Sequence, residues 1–339
     1  MKEIKITQNE ANQRLDKFLL KYMNKASKGF VYKMLRKKRI KLNQARAEGS
    51  EMLKNGDSIQ LYLAEETMTS FMEEKAVLPA KRHFGIVYED DAVLFVSKPA
   101  GLLTHPENAE EKNTLIDQIL FYLYEKGQYL PSKESSFTPA VCNRLDRNTS
   151  GLIAAGKTLE AVQCINQALA ERKLKKYYLT IISGKITEAG KIHNYLLKDN
   201  FENKIQVFSA KEEESKEAVT IYRPLISTDA FTLLEIELIT GKTHQIRAHM
   251  QSIGHPIIGD RKYGDKAINE FFRKQYGLSH QFLHSARMLW QKDGCALSYL
   301  SQEMLYAPLP KLLQTICEGL FGHNAVDRCG ISQKEEEKK

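Results

Sequence analysis

The order of strand-like and helix-like segments is the feature that most restricts the fold of this chain. One helix is well marked, over residues 158–172. Strand-like runs recur without a helix between each pair, at residues 86–88, 93–97, 177–182 and 232–239. This order predicts an α+β fold with a mixed, largely antiparallel sheet rather than a doubly wound parallel one. In the last run, Leu234, Ile236 and Leu238 alternate with two glutamates, which predicts a sheet face half exposed to solvent.

Residues 1–63 predict a separate small unit that precedes this sheet. Apolar residues within 13–23 follow helical spacing, and Ser27 is a plausible N-cap for a second helix over about 28–37. An Asn-Gly turn then leads into an alternating strand at 59–63. The pattern indicates a compact helix–helix–strand domain.

The positive charge of the chain is concentrated in this first unit. Residues 1–63 hold 15 lysines and arginines against six acids, a net charge of +9, so the remaining residues sum to −1 of the total of +8. A localised basic module is typical of a protein that binds a polyanion. The alternative is a solvated helix face. The candidate contacts are Lys33, Arg36, Lys37, Arg39 and Lys41.

The remaining boundaries follow from composition. Residues 64–82 lack periodicity and predict a linker, 83–325 form a second, larger domain, and 326–339 predict a disordered tail. No apolar run reaches the roughly 18 residues of a membrane span, and the N-terminus contains acids and no apolar segment, so it does not resemble a secretory signal. Five widely spaced cysteines argue against a disulfide scaffold. We therefore expect a cytoplasmic, monomeric protein with no membrane partner.

Two polar segments could carry chemistry. Asp146 lies between Arg144 and Arg147, and a carboxylate flanked by cations should stay ionised, which suits a nucleophile or base. The alternative, which these residues alone favour, is a structural aspartate paired with an arginine. Residues 241–250 follow a strong strand and are rich in hydrogen-bond donors. Neither their two histidines nor the pair His280 and His284, for which an exposed helix is favoured, has the ligand set of a metal site, so none is expected.

Residues 151–158 match the phosphate-binding pattern GxxxxGK[ST]. A phosphate loop needs a buried strand before it, whereas residues 143–150 are polar. The segment between the glycines, 152–155, is itself strand-like. The spacing alone is therefore weak evidence for a nucleotide site, and no cofactor is expected.

Five segments, taken in order, resemble the RluA-type pseudouridine synthases. They are the entry strand and Lys-Pro turn at 91–106, the NRLDRNTSGL motif at 143–152, the tyrosine strand at 175–184, the arginine motif at 241–264 and the closing motif at 283–286. Residues 13–63 resemble the small RNA-binding domain of ribosomal protein S-four. Together these likenesses cover about residues 13–310. They imply a pseudouridine synthase-like catalytic domain with a small N-terminal α/β RNA-binding domain.

The resemblance also implies the roles of individual residues. Asp146 matches the catalytic carboxylate, Arg247 its ion-pair partner, and Tyr178 the residue that packs on the uracil and could help remove the carbon 5 proton. Arg144 resembles an arginine that fills the gap left by a flipped base. The same motifs assign RNA contacts to Arg147, His244 and Gln245.

The implied reaction isomerises uridine in RNA to pseudouridine without a cofactor, and the favoured substrate is large-subunit ribosomal RNA. The alternatives are the same chemistry on transfer RNA, or an RNA-binding ribosome-assembly factor that has lost catalysis. One departure from the family pattern is visible: Asn143 stands where a histidine is usual, three residues before the aspartate. It is not expected to remove activity, but it puts in doubt any role assigned to that histidine.

Overall fold

A computed structural model describes residues 1–73, 76–108, 110–132, 134–199, 204–291 and 294–328. The N-terminal region contains an antiparallel sheet of order β1-β4-β2-β3 packed against helices. Its elements are β1 (Lys2–Lys5), α1 (Leu15–Tyr22), α2 (Lys28–Arg36), β2 (Ile40–Leu42), β3 (Ala45–Arg46), β4 (Ser58–Leu61) and α3 (Glu65–Phe71).

Both predicted N-terminal helices are confirmed, and the reason is local. In α1, Leu15, Phe18 and Leu19 have no solvent exposure, as their spacing requires. The helix α2 begins after Ser27, whose Oγ accepts a hydrogen bond from the backbone N of Phe30 at 3.2 Å. These helices close a separate apolar core over the small sheet.

Helix α3 occupies part of the segment predicted as a linker. Its Met68 is buried, and Phe71 packs against the N-terminal core and stacks obliquely on Phe30, with ring centroids 4.2 Å apart. This helix therefore extends the N-terminal core beyond residue 63. Of the predicted tail, residues 326–328 belong to a short helix that begins at Ala325, and 329–339 lie outside the described residues.

The large sheet has the order β11-β10-β12-β13-β9-β14-β8-β6-β5, with β15 paired to β14 and β7 to β8. Among the described strands its one parallel pair is β8 with β14. The fold is thus α+β with a mixed, largely antiparallel sheet, as predicted. Its strands are β5 (Gly85–Glu89), β6 (Val93–Lys98), β7 (Ala140–Val141), β8 (Ser150–Gly156), β9 (Leu174–Ser183), β10 (Gly190–Asp199), β11 (Lys204–Phe208), β12 (Lys216–Ser227), β13 (Phe231–Leu238), β14 (Leu283–Trp290) and β15 (Met304–Tyr306).

Helices cover both faces of this sheet around β8. Leu152 and Ala154 pack on the side of one helix, α5, whereas Ile153 and Ala155 face the larger core that contains α4. A strand buried on both faces reads as a continuous apolar run, which explains the sequence of β8. The helices are α4 (Leu115–Glu125), α5 (Leu159–Ala170), α6 (Gln245–Ser252), α7 (Lys266–Tyr276), α8 (Lys311–Phe321) and α9 (Ala325–Arg328).

The N-terminal region contacts the catalytic region through its first loop. The carboxylate of Glu10, which is 1% exposed, accepts a hydrogen bond from the backbone N of Ser136 at 3.0 Å. Asn9 Oδ1 accepts the backbone N of Leu159 at 2.9 Å, at the start of α5. These bonds hold the basic domain against the element that borders the site described below.

Two expectations about polar and sulfur groups are corrected. Glu235 in β13 does not face solvent: it is 7% exposed and forms ion pairs with Arg223 and Arg287, because cations from neighbouring strands cover that face. Cys164 and Cys295 form a disulfide with Cα atoms 6.0 Å apart, which their separation of 131 residues gave no reason to expect. Within the described ranges, no helix is both long and apolar enough to cross a bilayer.

Candidate active site

Asp146 lies in the loop between β7 and β8, at the edge of a cavity of about 1080 Å³. The loop is pinned at both sides of the aspartate. Thr104 Oγ1 donates to the carbonyl oxygen of Leu145 at 3.0 Å, and the backbone N of Thr149 donates to that of Asp146 at 3.0 Å. The carboxylate itself stays accessible, with 27% of its side chain exposed.

Lys98, at the end of β6, holds the same loop through hydrogen bonds to backbone carbonyl oxygens. Its ammonium is fully buried and donates to the carbonyl oxygens of Pro99, Leu102 and Arg147 at 3.0, 2.7 and 2.9 Å. Three acceptors match the three N–H donors of a lysine. Burial lowers the pKa of Lys98 to about 7, and the nearby charge of Asp146 opposes that shift. Lys98 is a positioning residue that sequence reasoning did not single out, although it lies in the Lys-Pro turn.

Asn143, which stands where a histidine is usual, is held by the backbone of β8. Its Oδ1 accepts the backbone N of Ala154 at 2.8 Å, and its Nδ2 donates to the carbonyl oxygen of Leu152 at 3.4 Å. The side chain therefore continues the edge of β8. Among the described residues these hydrogen bonds join it to β8 and not to Asp146, so its role here is to anchor the loop.

Arg247 connects Asp146 to a second carboxylate. Its NH1 donates to Asp146 Oδ2 at 3.0 Å, while its Nε and NH2 donate to the two oxygens of Asp260 at 2.6 and 2.9 Å. Arg247 is 7% exposed and Asp260 is fully buried. The ring of Tyr263 lies 5.1 Å from the guanidinium carbon. The bidentate pair with Asp260 fixes the plane of the guanidinium, and this leaves NH1 positioned to orient Asp146.

The turn before α6 brings His244 next to this pair. His244 is the N-cap of α6 in the left-handed conformation, with φ of 52°. Its Nε2 lies 3.8 Å from Asp146 Oδ2, and its Nδ1 lies 3.1 Å from the hydroxyl of Tyr263. Burial lowers the pKa of His244, and the charge of Asp146 acts in the opposite sense. The imidazole is therefore neutral at pH 7 and lines the cavity.

Gln245 lines the cavity, and its side chain is held within the protein. It is 2% exposed, and its Nε2 donates to the carbonyl oxygen of Val219 and to Thr220 Oγ1, both at 3.0 Å. Its Oε1 accepts hydrogen bonds from Thr240 Oγ1 and from the backbone N of Lys242. These bonds use the amide to hold the turn, and a contact of Gln245 with RNA stays a prediction.

Tyr178 enters the cavity from β9, and its neighbour Tyr177 does not. Tyr178 is 4% exposed and lines the cavity with Asp146. Burial raises the pKa of Tyr178, and the charge of Asp146 acts in the same direction. Tyr177 points to the opposite face of the strand, where Arg287 lies 4.4 Å from its ring centre. The choice between the two tyrosines made from spacing is supported by this alternation.

The cavity around these groups is strongly basic. Besides Asp146, Glu107 is the other carboxylate among the described lining residues. The lysines and arginines that line it are Arg144, Arg147, Lys176, Lys198, Lys242, Arg247, Arg261 and Lys262. A concave site with this balance attracts a polyanion and concentrates the field at the one accessible aspartate.

Comparisons with known proteins decide the family. A sequence model described as RNA pseudouridylate synthase matches residues 92–252. Ribosomal large subunit pseudouridine synthase D of Nitrosomonas europaea is 31% identical over 96% of this chain and 90% of that protein. The chain belongs to the RNA pseudouridylate synthase family. Ribosomal large subunit pseudouridine synthase C of Vibrio parahaemolyticus is 29% identical over 94% of this chain and 96% of that protein.

A solved structure agrees on the fold. Human RNA pseudouridylate synthase domain containing 4 superposes with a TM-score of 0.53 and 22% identity, over 73% of this chain and 94% of that one. The predicted likeness to RluA-type synthases is confirmed, and with it the predicted enzyme class, an isomerase.

In this pseudouridine synthase, the other predicted residues fall into two places. Arg144 and Arg147 line the cavity beside Asp146. The N-terminal cations lie on the surface of the small domain, and Lys41 Nζ lies 5.3 Å from the ring centre of Tyr62. Four are exposed, whereas Lys41 is partly buried: Lys33, Arg36, Lys37, Arg39 and Lys41. The two groups are thus separate basic surfaces, one in each region.

The structure of the synthase also places the GxxxxGK[ST] segment and His284. The GxxxxGK[ST] segment forms strand β8, as its apolar residues predicted. Its Gly151 has φ of +113°, and a Cβ there would lie 2.1 Å from the carbonyl oxygen of Ser285, so only glycine permits the contact of β8 with β14. The prediction of an exposed helix at His284 is wrong. His284 is fully buried in β14, where Ser150 Oγ lies 2.8 Å from its Nδ1.

Asp260 is the main functional residue that sequence reasoning missed. It lies in the arginine motif at 241–264, but nothing in the motif indicated that its charge would be buried against Arg247. Within the part of the chain that the structure describes, no three metal-ligating side chains cluster.

Proposed function

We propose that this synthase isomerises specific uridines of large-subunit ribosomal RNA and that Asp146 is its catalytic carboxylate. The observation that carries the proposal is the shared arginine: Arg247 is held by Asp260 through Nε and NH2 and donates a hydrogen bond from NH1 to Asp146 at 3.0 Å. A carboxylate held in this way is oriented without being removed from the cavity.

The reaction requires the bond between ribose and uracil nitrogen 1 to break and a bond to carbon 5 to form. The carboxylate of Asp146 can act on the sugar, either as a nucleophile or as a base that removes a ribose proton. Tyr178 packs against the uracil from β9. Its raised pKa keeps the phenol protonated at neutral pH, so a late role in removing the carbon 5 proton needs a base beside it.

Uracil within stacked RNA cannot reach a buried tyrosine, so the target base is extruded into the cavity. Arg144 borders the cavity beside Asp146 and is suited to fill the space that the base leaves. The surrounding lysines and arginines contact the strand on both sides of the target. The basic N-terminal domain adds phosphate contacts, which set affinity and register rather than base selection.

Two relatives support the choice of ribosomal RNA, since both are named ribosomal large subunit pseudouridine synthases. Pseudouridine mapping on total RNA from a strain that lacks this protein, by carbodiimide modification and reverse-transcription stops, is expected to lose a stop in large-subunit RNA. Loss of a transfer RNA stop would keep the chemistry and overturn the substrate.

Asp146→Asn tests the assignment of the catalytic residue. We expect the variant to bind RNA with nearly unchanged affinity and to lose isomerisation, because the amide keeps the shape but neither attacks the sugar nor takes a proton. Tritium release from carbon 5-labelled RNA measures turnover, and filter binding measures affinity. Unchanged turnover would refute the role of Asp146, while a wild-type protein that binds RNA but does not isomerise it would favour an assembly factor.

Deletion of residues 1–63 tests the role of the basic domain. The truncated protein is expected to bind RNA more weakly and with a flatter salt dependence. Each lost phosphate contact decreases the magnitude of the negative slope of log K against log salt by about 0.7–0.9. Binding that is equal at low and moderate salt with and without these residues would contradict an RNA role for the domain. Its Glu10 contacts with the catalytic region make a circular dichroism control of the truncated protein necessary.

A further inference from the structure

Lys176 places a positive charge in the cavity that the protein itself does not neutralise. Residues two apart on a strand share a face, so Lys176 and Tyr178 point into the cavity from β9, and both line it. Lys175 points the other way and forms an ion pair with Glu237 at 3.1 Å. Among the described residues, no hydrogen-bond or ion-pair partner is found for the ammonium of Lys176.

The surroundings of Lys176 leave its ammonium open to the cavity. Gly241, in the turn after β13, lies beside this ammonium, and both residues line the cavity. The Nζ of Lys176 lies 3.6 Å from the point that a Cβ on Gly241 would occupy. The glycine therefore leaves this side of the ammonium uncovered, and a ligand can approach it from the cavity.

The electrostatic surroundings of Lys176 also favour an anionic ligand. Burial lowers the pKa of Lys176, and no carboxylate of the described residues opposes that shift. A partly desolvated cation without a counter-charge is unfavourable in the free protein, and an anionic ligand removes that cost.

We propose that Lys176 binds a phosphate group of the RNA strand next to the target uridine. This proposal rests on the proposed function, since it names how the substrate strand is held in the same cavity. A phosphate is the anion that every RNA presents, and a lysine ammonium recognises it as a point charge. Lys176 is thus a positioning residue, which holds the strand while Asp146 and Tyr178 face the nucleoside.

The binding test compares two lysines that are adjacent in sequence but point to opposite faces. Lys176→Met and Lys175→Met are made in the Asp146→Asn background, so that RNA affinity is measured without turnover. With Lys176→Met, the magnitude of the negative slope of log K against log salt is expected to decrease by about 0.7–0.9. Binding at low salt is expected to be weaker. Lys175→Met is expected to leave the slope unchanged, and Lys176→Arg to retain it. An unchanged slope for Lys176→Met would overturn the proposal.

A stability measurement separates a binding role from a structural one. Because Lys176 has no partner among the described residues, Lys176→Met is expected to leave the urea midpoint unchanged or to raise it. A lowered midpoint would show that the ammonium has a structural partner and would overturn the proposal. Lys176→Gln gives the same test if the methionine variant does not fold.

Single-turnover kinetics with excess enzyme give the third readout. With Asp146 intact, Lys176→Met is expected to need more enzyme for half-maximal rate and to keep its saturating rate within about threefold, because a phosphate contact contributes uniform binding. Collapse of the saturating rate with an unchanged salt slope would place Lys176 on the reacting base and refute the phosphate. If Asp146→Asn retained turnover, the proposed catalytic residue would fail, while the salt slopes would still decide the role of Lys176.

Discussion

The two carboxylates that bind Arg247 should differ in how much folding stability their replacement by asparagine costs. Asp260 is fully buried, and it binds the guanidinium through two hydrogen bonds while also accepting the backbone N atoms of Lys262 and Tyr263. Asp260→Asn leaves a buried arginine with one partly exposed counter-charge. Removing one partner of a buried ion pair costs about 3–5 kcal/mol of folding stability.

Asp146→Asn removes the other partner and should cost much less. Asp146 is 27% exposed in its side chain, and Arg247 keeps its bidentate bonds to Asp260 in the variant. The expected loss is below about 1 kcal/mol, the range for partly solvated pairs. Asp146→Asn should therefore abolish catalysis at nearly full stability, while Asp260→Asn should lose stability first and activity through misplacement of Arg247.

Urea unfolding followed by tryptophan fluorescence measures this difference. Trp290 is the single tryptophan of the chain and is 2% exposed in β14, so it reports on the catalytic region. With an m value near 3 kcal/mol/M, the midpoint of Asp260→Asn should fall by about 1 M or more. Asp265→Asn is the matched control, since Asp265 caps α7 and asparagine caps equally well. Equal losses for the Asp146 and Asp260 variants would refute the reasoning.

Two further predictions follow from buried contacts of β14. Burial lowers the pKa of His284 to about 4, so the unfolded chain binds a proton that the folded one excludes, and stability falls as the pH drops below about 6.5. Between pH 7.5 and 5.0, His284→Asn should lose about 2 kcal/mol less stability than the wild type; parallel pH dependences would contradict this. Gly151→Ala should abolish stable folding because its Cβ would overlap Ser285, whereas Gly127→Ala, which meets nothing within 4 Å, should cost about 1 kcal/mol; equal costs would refute the steric argument.

The sequence by itself determined the elements whose signals are local. The helix α2 begins where Ser27 can cap it, and β8 is a strand because an apolar run between glycines needs burial on both faces. The order of motifs identified the family and pointed to Asp146, Arg247 and Tyr178. The helix and the strand follow from the spacing of neighbouring residues, whereas the family and these three residues follow from the resemblance of the motifs to a known family.

Only the tertiary structure decided which polar groups are partners and which remain open to substrate. Arg247 meets Asp146 across 101 residues, and Lys98 reaches the carbonyl oxygen of Arg147 across 49. Gln245 lies in the same motif as Arg247, and its amide forms hydrogen bonds within the protein. Lys176, in contrast, has no partner among the described residues. Local patterns cannot distinguish these cases, because whether a charge is neutralised depends on groups that other strands and loops bring next to it.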